Sequence, residues 1–577
     1  MPCRTRLARQ RWQRRLIGAA LLIVIAGPPA CARRAVDATP AVTSTVEPAP
    51  ITVGRAPDAD EYAQPFDARH YDIRLTVPAS GSDITGITEV TLGVTGRADT
   101  LTLDFTGLAV AGVRVDDAPA TFRHDGGKLR IPLRPGVAPG RELRVSVEYS
   151  GVPDDGLIIR NTVHGQRAVF ADNWPNRARF WFPAIDHPAD KATAAFTVDA
   201  PATWQVVANG VPHADDAPAG PRGDDTLRRW RWTIEQPIST YNMVIGATEF
   251  DVRVLGTPCV ADRRCVDVTT WLFPQSAAAA GGSFRRGVQM VEYYSSLVAP
   301  FPYGKLAHVQ SATRFGGMEN ATAIFYDEQA LAKGRDIEAT VAHETAHQWF
   351  GNAVTAADWP DLWLSEGFAT YFATLFFEHA DGLGRLRERM ENDRARIVKS
   401  DTIGRPIADS SNDDLFARLN TNTYQKAGWV LHMLRGIVGD EAFFAGIRRY
   451  YRDHEHRTAT TADLRRAMEG AARRDLGWFF EQWLFEPGFP RLRATARWDA
   501  AAREAVITIE QTQPVSWPTF RIPLTVQVRT GATSVRQTIE VNERREVVRM
   551  PVASAPDGLA LDPDGWVLKE VESQSVY

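Results

Sequence analysis

Val341-Ala342-His343-Glu344-Thr345-Ala346-His347-Gln348-Trp349-Phe350-Gly351-Asn352 is the stretch from which the rest of the chain can be read. It reads as helix, and positions four apart on a helix share one face. Two neutral imidazoles on one face can hold one metal ion. The Glu344 carboxylate beside them is placed to handle the protons of a water activated there. Asp336 is placed to cap this helix, Glu338 suits the positive end of its dipole, and Gly351 marks its exit.

A hydrolytic zinc site needs a third protein ligand and an open position. Glu366, nineteen residues after His347 in Trp363-Leu364-Ser365-Glu366-Gly367-Phe368-Ala369, is the candidate. A lone Glu at a helix start is more often a solvated cap. The aromatic and apolar residues around Glu366 argue against an exposed position.

The 577 residues are too many for one core, and 44% hydrophobic with 24% charged residues is a globular composition. Residues 61–255 show period-2 alternation, as in Tyr71, Ile73, Leu75, Val77 and in Leu143, Val145, Val147, Tyr149, which predicts an N-terminal β domain. Residues 256–490 read as mostly α. A helical stretch over Ser276 to Leu297 and a short extended run around Val309 precede the motif helix, and further helices are expected near 365–380, 383–399, 427–438, 440–453 and 461–473. Alternation returns over 491–577, most cleanly at Ile522, Leu524, Val526 and Val528, predicting a C-terminal β domain. No repeat of solenoid length is present.

Residues 1–32 read as a signal peptide. Arg4, Arg6, Arg9, Arg11, Arg14 and Arg15 precede an apolar run from Leu16 to Ala26 that is too short to span a bilayer comfortably. Cleavage after Ala30-Cys31-Ala32 would give a periplasmic or secreted protein. Lipidation of Cys31 would instead leave a membrane-anchored lipoprotein, the one route to a membrane partner. Residues 33–60, rich in Ala, Pro, Thr and Val, read as a flexible linker. Loss of the leader removes six Arg and no acid, which takes the formal charge from −4 to −10. A chain this acidic, without a basic stripe, is not built for nucleic acid. Of the four Cys, Cys259 and Cys265 remain, close enough in sequence to form a disulfide after export.

His343-Glu344-x-x-His347 and Glu366, with Gly316-Gly317-Met318-Glu319-Asn320 upstream, resemble the M1 aminopeptidases, a gluzincin zinc-peptidase family. The resemblance extends to Trp349-Phe350-Gly351-Asn352, Asp361-Leu362-Trp363-Leu364, Tyr424-Gln425-Lys426 and Phe479-Phe480-Glu481-Gln482-Trp483-Leu484, and spans roughly residues 60–577. It implies an α+β multidomain fold in which a thermolysin-like catalytic domain with a small sheet stands between the N-terminal β domain and a C-terminal β-sandwich. It also implies one Zn2+ per chain on His343, His347 and Glu366, with Glu344 as general base and then acid. Tyr424 would donate its phenol to the oxyanion. Gly316, Gly317, Met318, Glu319 and Asn320 would bind peptide substrate, with Glu319 on the free α-ammonium and Met318 lining the first side-chain pocket. Because the chain stops at Tyr577, where long members add a helical domain, a more open cleft is expected. Oligomeric state is not legible.

One departure matters. A second acidic or amide residue is usual in the β domain before a segment resembling Trp174-Pro175-Asn176-Arg177-Ala178-Arg179, and here Trp174 stands in that place. Asp172 or Asn173 is the candidate replacement at the amine. Two other readings remain open: a peptidase with relaxed N-terminal specificity, and a non-catalytic peptide-binding relative. An epoxide-opening activity has no dedicated feature. His308 and His432 read as packing or hydrogen-bonded residues, and His454 and His456 as a solvated turn.

Overall fold

The computed structural model describes residues 64–213, 227–261, 264–410 and 414–577. The expected signal peptide and the whole of the expected linker lie outside the described residues. Alternate residues of Phe66–Thr76 are buried, as the period-2 pattern requires, and this strand sits inside an eight-stranded sheet. Lys191–Pro201 pairs with it in parallel, Phe196 opposite Ile73, and Ile84–Val94 pairs on its other side, antiparallel. A four-stranded sheet that includes Leu157–Asn161 and Arg167–Ala171 follows, together with a three-stranded one.

A five-stranded sheet introduces the helical part. Its strands are β1 (Asp251–Gly256), β2 (Asp267–Leu272), β3 (Lys305–Ser311), β4 (Gly317–Met318) and β5 (Ala323–Asp327), in spatial order β1-β2-β3-β5-β4. Two-residue β4 therefore lies at an edge, antiparallel to β5. The longer helices among the described residues are α1 (Gly287–Leu297), α2 (Glu338–His347), α3 (Trp363–Asp381), α4 (Leu383–Lys399) and α5 (Ala427–Val438), followed by Asp440–His454 and Thr461–Ala472. The stretch expected as helix from Ser276 to Leu297 is broken into Ala277–Ala280, a 3-10 turn over Gly281–Phe284, and α1. Gly281-Gly282 explains the break, since each glycine costs about 1 kcal/mol in a helix interior. At α2, Asp336 accepts the Glu338 amide at 3.0 Å, but Ile337 occupies the cap position.

The C-terminal strands form a four-stranded and a three-stranded sheet, with Ile507 and Ile509 of one and Leu524 and Val526 of the other fully buried. Cys259 and Cys265 form a disulfide. His308 is buried against the Tyr326 hydroxyl, and His432 lies between the Tyr371 hydroxyl and the Gly565 carbonyl. His454 and His456 are each half-buried rather than solvated, and His454 Nδ1 lies 3.1 Å from the Thr458 carbonyl. Among the described residues no helix is long and apolar enough to cross a membrane.

The first β region holds the loop after α2 directly. Lys191 Nζ donates to the carbonyls of Asn352 and Ala353 at 2.8 and 2.9 Å and to Thr355 Oγ1 at 3.0 Å. Burial pulls its pKa down to about 7. An ammonium kept from water needs such acceptors, which here belong to the segment that ends the motif helix.

Candidate metal centre

One turn of α2 brings His343 and His347 onto the same face, and the first turn of α3 presents Glu366 to both. The two Nε2 atoms lie 3.0 Å apart, and Glu366 Oε2 is 3.3 Å from each. Donors about 2.1 Å from a tetrahedral zinc would stand about 3.4 Å from one another. The three atoms thus form one face of such a site. His347 Nδ1 is occupied by the Phe350 carbonyl at 3.0 Å, with Ser365 Oγ at 3.1 Å, which turns Nε2 toward the centre. Gly351, at φ +118°, lets the chain turn back there, and a Cβ would strike Ser365.

The charge balance also calls for a cation. Glu319, Glu344 and Glu366 are all buried around two imidazoles. Burial lifts Glu344 well above the usual carboxylate range and Glu319 to about 7. At Glu366 burial acts the same way but is overcome by His347 and by bonds from both imidazoles, which hold it at about 2. His347 is pulled down by burial, yet Glu366, Glu319 and Glu344 carry it to about 10. In donor type, spacing and charge the residues fit zinc.

The cleft above this centre has a volume of about 350 Å³ and is lined by all three ligands, Glu344, Tyr424 and the segment Gly316 to Glu319. Gly317 lies against Glu344, where a Cβ would collide with the carboxylate. Tyr424 sits in a π-helical turn, Asn422–Lys426, closed by the Lys426 amide on the Thr421 carbonyl. The wide turn lays its ring parallel to His343, with centroids 5.9 Å apart. Burial raises its pKa well above 10, so the phenol keeps its proton and can donate it. The Glu319 carbonyl accepts from Gln348 Nε2 at 2.9 Å and Asn352 Nδ2 at 2.6 Å, tying the amine-side segment to the end of α2.

Asn320 is buried next to Glu319 and is not among the residues that line the cleft. One expectation is corrected. Asp172 and Asn173 do not reach the amine side. Asp172 pairs with Arg177 at 3.1 Å and Arg314 at 3.5 Å, and the Asn173 amide is used up by Thr240, Met243 and Trp181. Trp174 does line the cleft, packed edge-on against Phe315, Trp359 and Phe416. Sequence reasoning missed Arg389, Asp393 and Arg396 on the opposite wall, because on an arginine-rich helix they look like a solvated face.

Residues 67–242 match the Peptidase M1 N-terminal domain and residues 284–483 the Peptidase family M1 domain, together more than half of the chain. Glutamyl aminopeptidase of Sus scrofa is 25% identical over 465 residues, 73% of this chain and 48% of that protein. Aminopeptidase N of Streptomyces lividans is 27% identical over 476 residues, 78% of this chain and 53% of that protein. The chain spans about half the length of the curated relatives it matches. The crystal structure of an M1 zinc metallopeptidase from Deinococcus radiodurans superposes with a TM-score of 0.66 at 24% identity, covering 74% of this chain and 95% of that one, and so shares its fold. With one domain match holding every donor of the centre and the other the β region before it, the chain belongs to peptidase family M1.

Proposed function

We propose that the protein is a zinc-dependent aminopeptidase that releases N-terminal residues from peptides. The observation that carries this reading is the placing of Glu319 in the same cleft as the His343, His347 and Glu366 donors. A carboxylate beside a hydrolytic centre selects substrates by their free α-ammonium, which fixes the cleaved bond as the first. Zinc bound there would polarise the scissile carbonyl and lower the pKa of water to about 7. Glu344 accepts the proton of the attacking water and returns it to the leaving amine. Tyr424 donates to the oxyanion, and edge strand β4 offers its backbone to an extended substrate.

The donor inventory of the described residues supports one zinc per chain. The alternative set, Glu319, Glu344 and His347, also draws on His347, whose Nδ1 is already taken. The leader read in residues 1–32 supports export to the periplasm or medium, with lipidation of Cys31 as the anchored alternative.

Relaxed N-terminal specificity is the second reading, favoured by Trp174 standing on the wall where Asp172 does not reach. A panel of aminoacyl fluorogenic substrates with free and acetylated amines tests it. Acetylation is expected to lower kcat/KM by at least about 100-fold, the order of a lost charged contact in a buried site. Equal rates on free and blocked substrates would favour the second reading. The variant Tyr424→Phe is expected to reduce kcat about 10²- to 10³-fold, as for loss of one oxyanion donor. A Tyr424→Phe enzyme with unchanged kcat would remove that role from the phenol.

A further inference from the structure

Besides the metal donors, the cleft is lined by Thr340 of α2, Thr370 and Ala373 of α3, and Arg389, Asp393 and Arg396 of α4. Glu319 stands with Glu344 and His347, their ligand atoms within 4.8 Å of one another, whereas Arg389 is held at Thr374, eight residues along α3 from Glu366. A peptide held by its amine at Glu319 therefore runs its leaving portion toward α4.

The two arginines on this wall are not equivalent. Arg396 is exposed and pairs with Asp393 at 3.5 Å. Arg389 is half-buried and makes no ion pair among the described residues; its Nε donates to Thr374 Oγ1 at 3.3 Å and its guanidinium stands over the Phe377 ring at 4.5 Å. Asp393, one turn on, is the nearest acid acting on Arg389, but it lies within ion-pair distance of Arg396 and not of Arg389. A partly desolvated guanidinium with no directly bonded carboxylate is costly, and its forked donors match a carboxylate in particular.

We propose that Arg389 receives a substrate carboxylate on the leaving-group side of the cleft, which makes the enzyme selective for short peptides. This rests on the aminopeptidase reading above. Thr374, which holds Arg389, lies eight residues beyond Glu366, about 12 Å along α3 at 1.5 Å per residue. That distance corresponds to about three residues of extended peptide at 3.3–3.6 Å each. The C-terminal carboxylate of a di- to tetrapeptide can reach it; so can an acidic side chain just after the cleaved bond.

The test uses the full chain with zinc and a series of peptides Leu-(Ala)n, n from one to six, each as free acid and as C-terminal amide. Leu-Asp-Ala amide and Leu-Asn-Ala amide form a second arm, and leucyl p-nitroanilide reports the peptidase reading itself. The expected result is a kcat/KM preference of about tenfold or more for the free acid at small n, carried mainly by KM and fading at larger n. The preference should fall toward one in Arg389→Gln and recover in part in Arg389→Lys. Each ratio is taken within one variant, so a changed folded fraction cancels. A preference confined to the Asp arm and lost in Arg389→Gln would assign the site to a side-chain carboxylate, still at Arg389. No preference in either arm, or one that survives Arg389→Gln, overturns the proposal. Failure of the unaltered enzyme to release p-nitroaniline would instead remove the peptidase reading, and the role of Arg389 with it.

Discussion

Glu344→Gln should lower kcat by about 10²- to 10⁴-fold, the range supplied by a positioned general acid–base, while the zinc content stays that of the unaltered protein. The side chain keeps its size, so its place against Gly317 is retained. His343, His347 and Glu366 are untouched, which is why metal and turnover should separate. What the amide cannot do is take a proton from water and hand it to the leaving amine. KM for substrates with a free amine should change little, because Glu319 still meets the ammonium. Steady-state kinetics alongside elemental analysis decides the point. A parallel loss of zinc would mean that Glu344 shapes the site, and retained turnover would place the base elsewhere.

Removal of the metal is expected to abolish peptidase activity altogether, with recovery on addition of stoichiometric zinc. It should also lower the melting temperature, because the donors converge only in the folded chain. A ligand at about 1,000 times its Kd contributes about 4 kcal/mol to folding. Three buried carboxylates would then share the cleft with two imidazoles and no dication. Glu366→Ala should resemble the metal-free protein in both activity and melting temperature, since it removes one corner of the donor triangle. Calorimetry of the unaltered, stripped and substituted proteins measures this. Full activity in excess chelator, with zinc shown to be gone, would contradict the assignment of the centre.

What the sequence disclosed and what it concealed divide by range. His343 and His347 are one helical turn apart, so local periodicity was enough to pair them, whereas Glu366, beyond a loop, was joined to them by the family resemblance. Periodicity also made the strands of the N-terminal region legible, as it did α3, α4 and α5. Asp172 shows the limit. Its neighbours in sequence say nothing of Arg314, 142 residues further on, which shares its carboxylate with Arg177. Arg389 was hidden differently. It is one of five arginines on α4, and only the packing of that helix at the cleft separates it and Arg396 from Arg385, Arg387 and Arg394.

The Lys191 ammonium, set among the carbonyls of Asn352 and Ala353, bears on how the chain can be divided. A fragment beginning at residue 256 would carry every metal donor, Glu344, Glu319 and Tyr424. It would lack Lys191, and also Asn242, which donates to Asn352 Oδ1 at 3.0 Å, and Tyr241, which donates to the Gly351 carbonyl at 3.1 Å. Asn352 is in turn one of the two side chains that hold Glu319 in place. Such a fragment would keep the donor set and lose the brace on Glu319, the residue proposed to measure where the peptide begins. For anyone grafting this centre onto another scaffold, the smallest transferable piece includes the β region upstream of it.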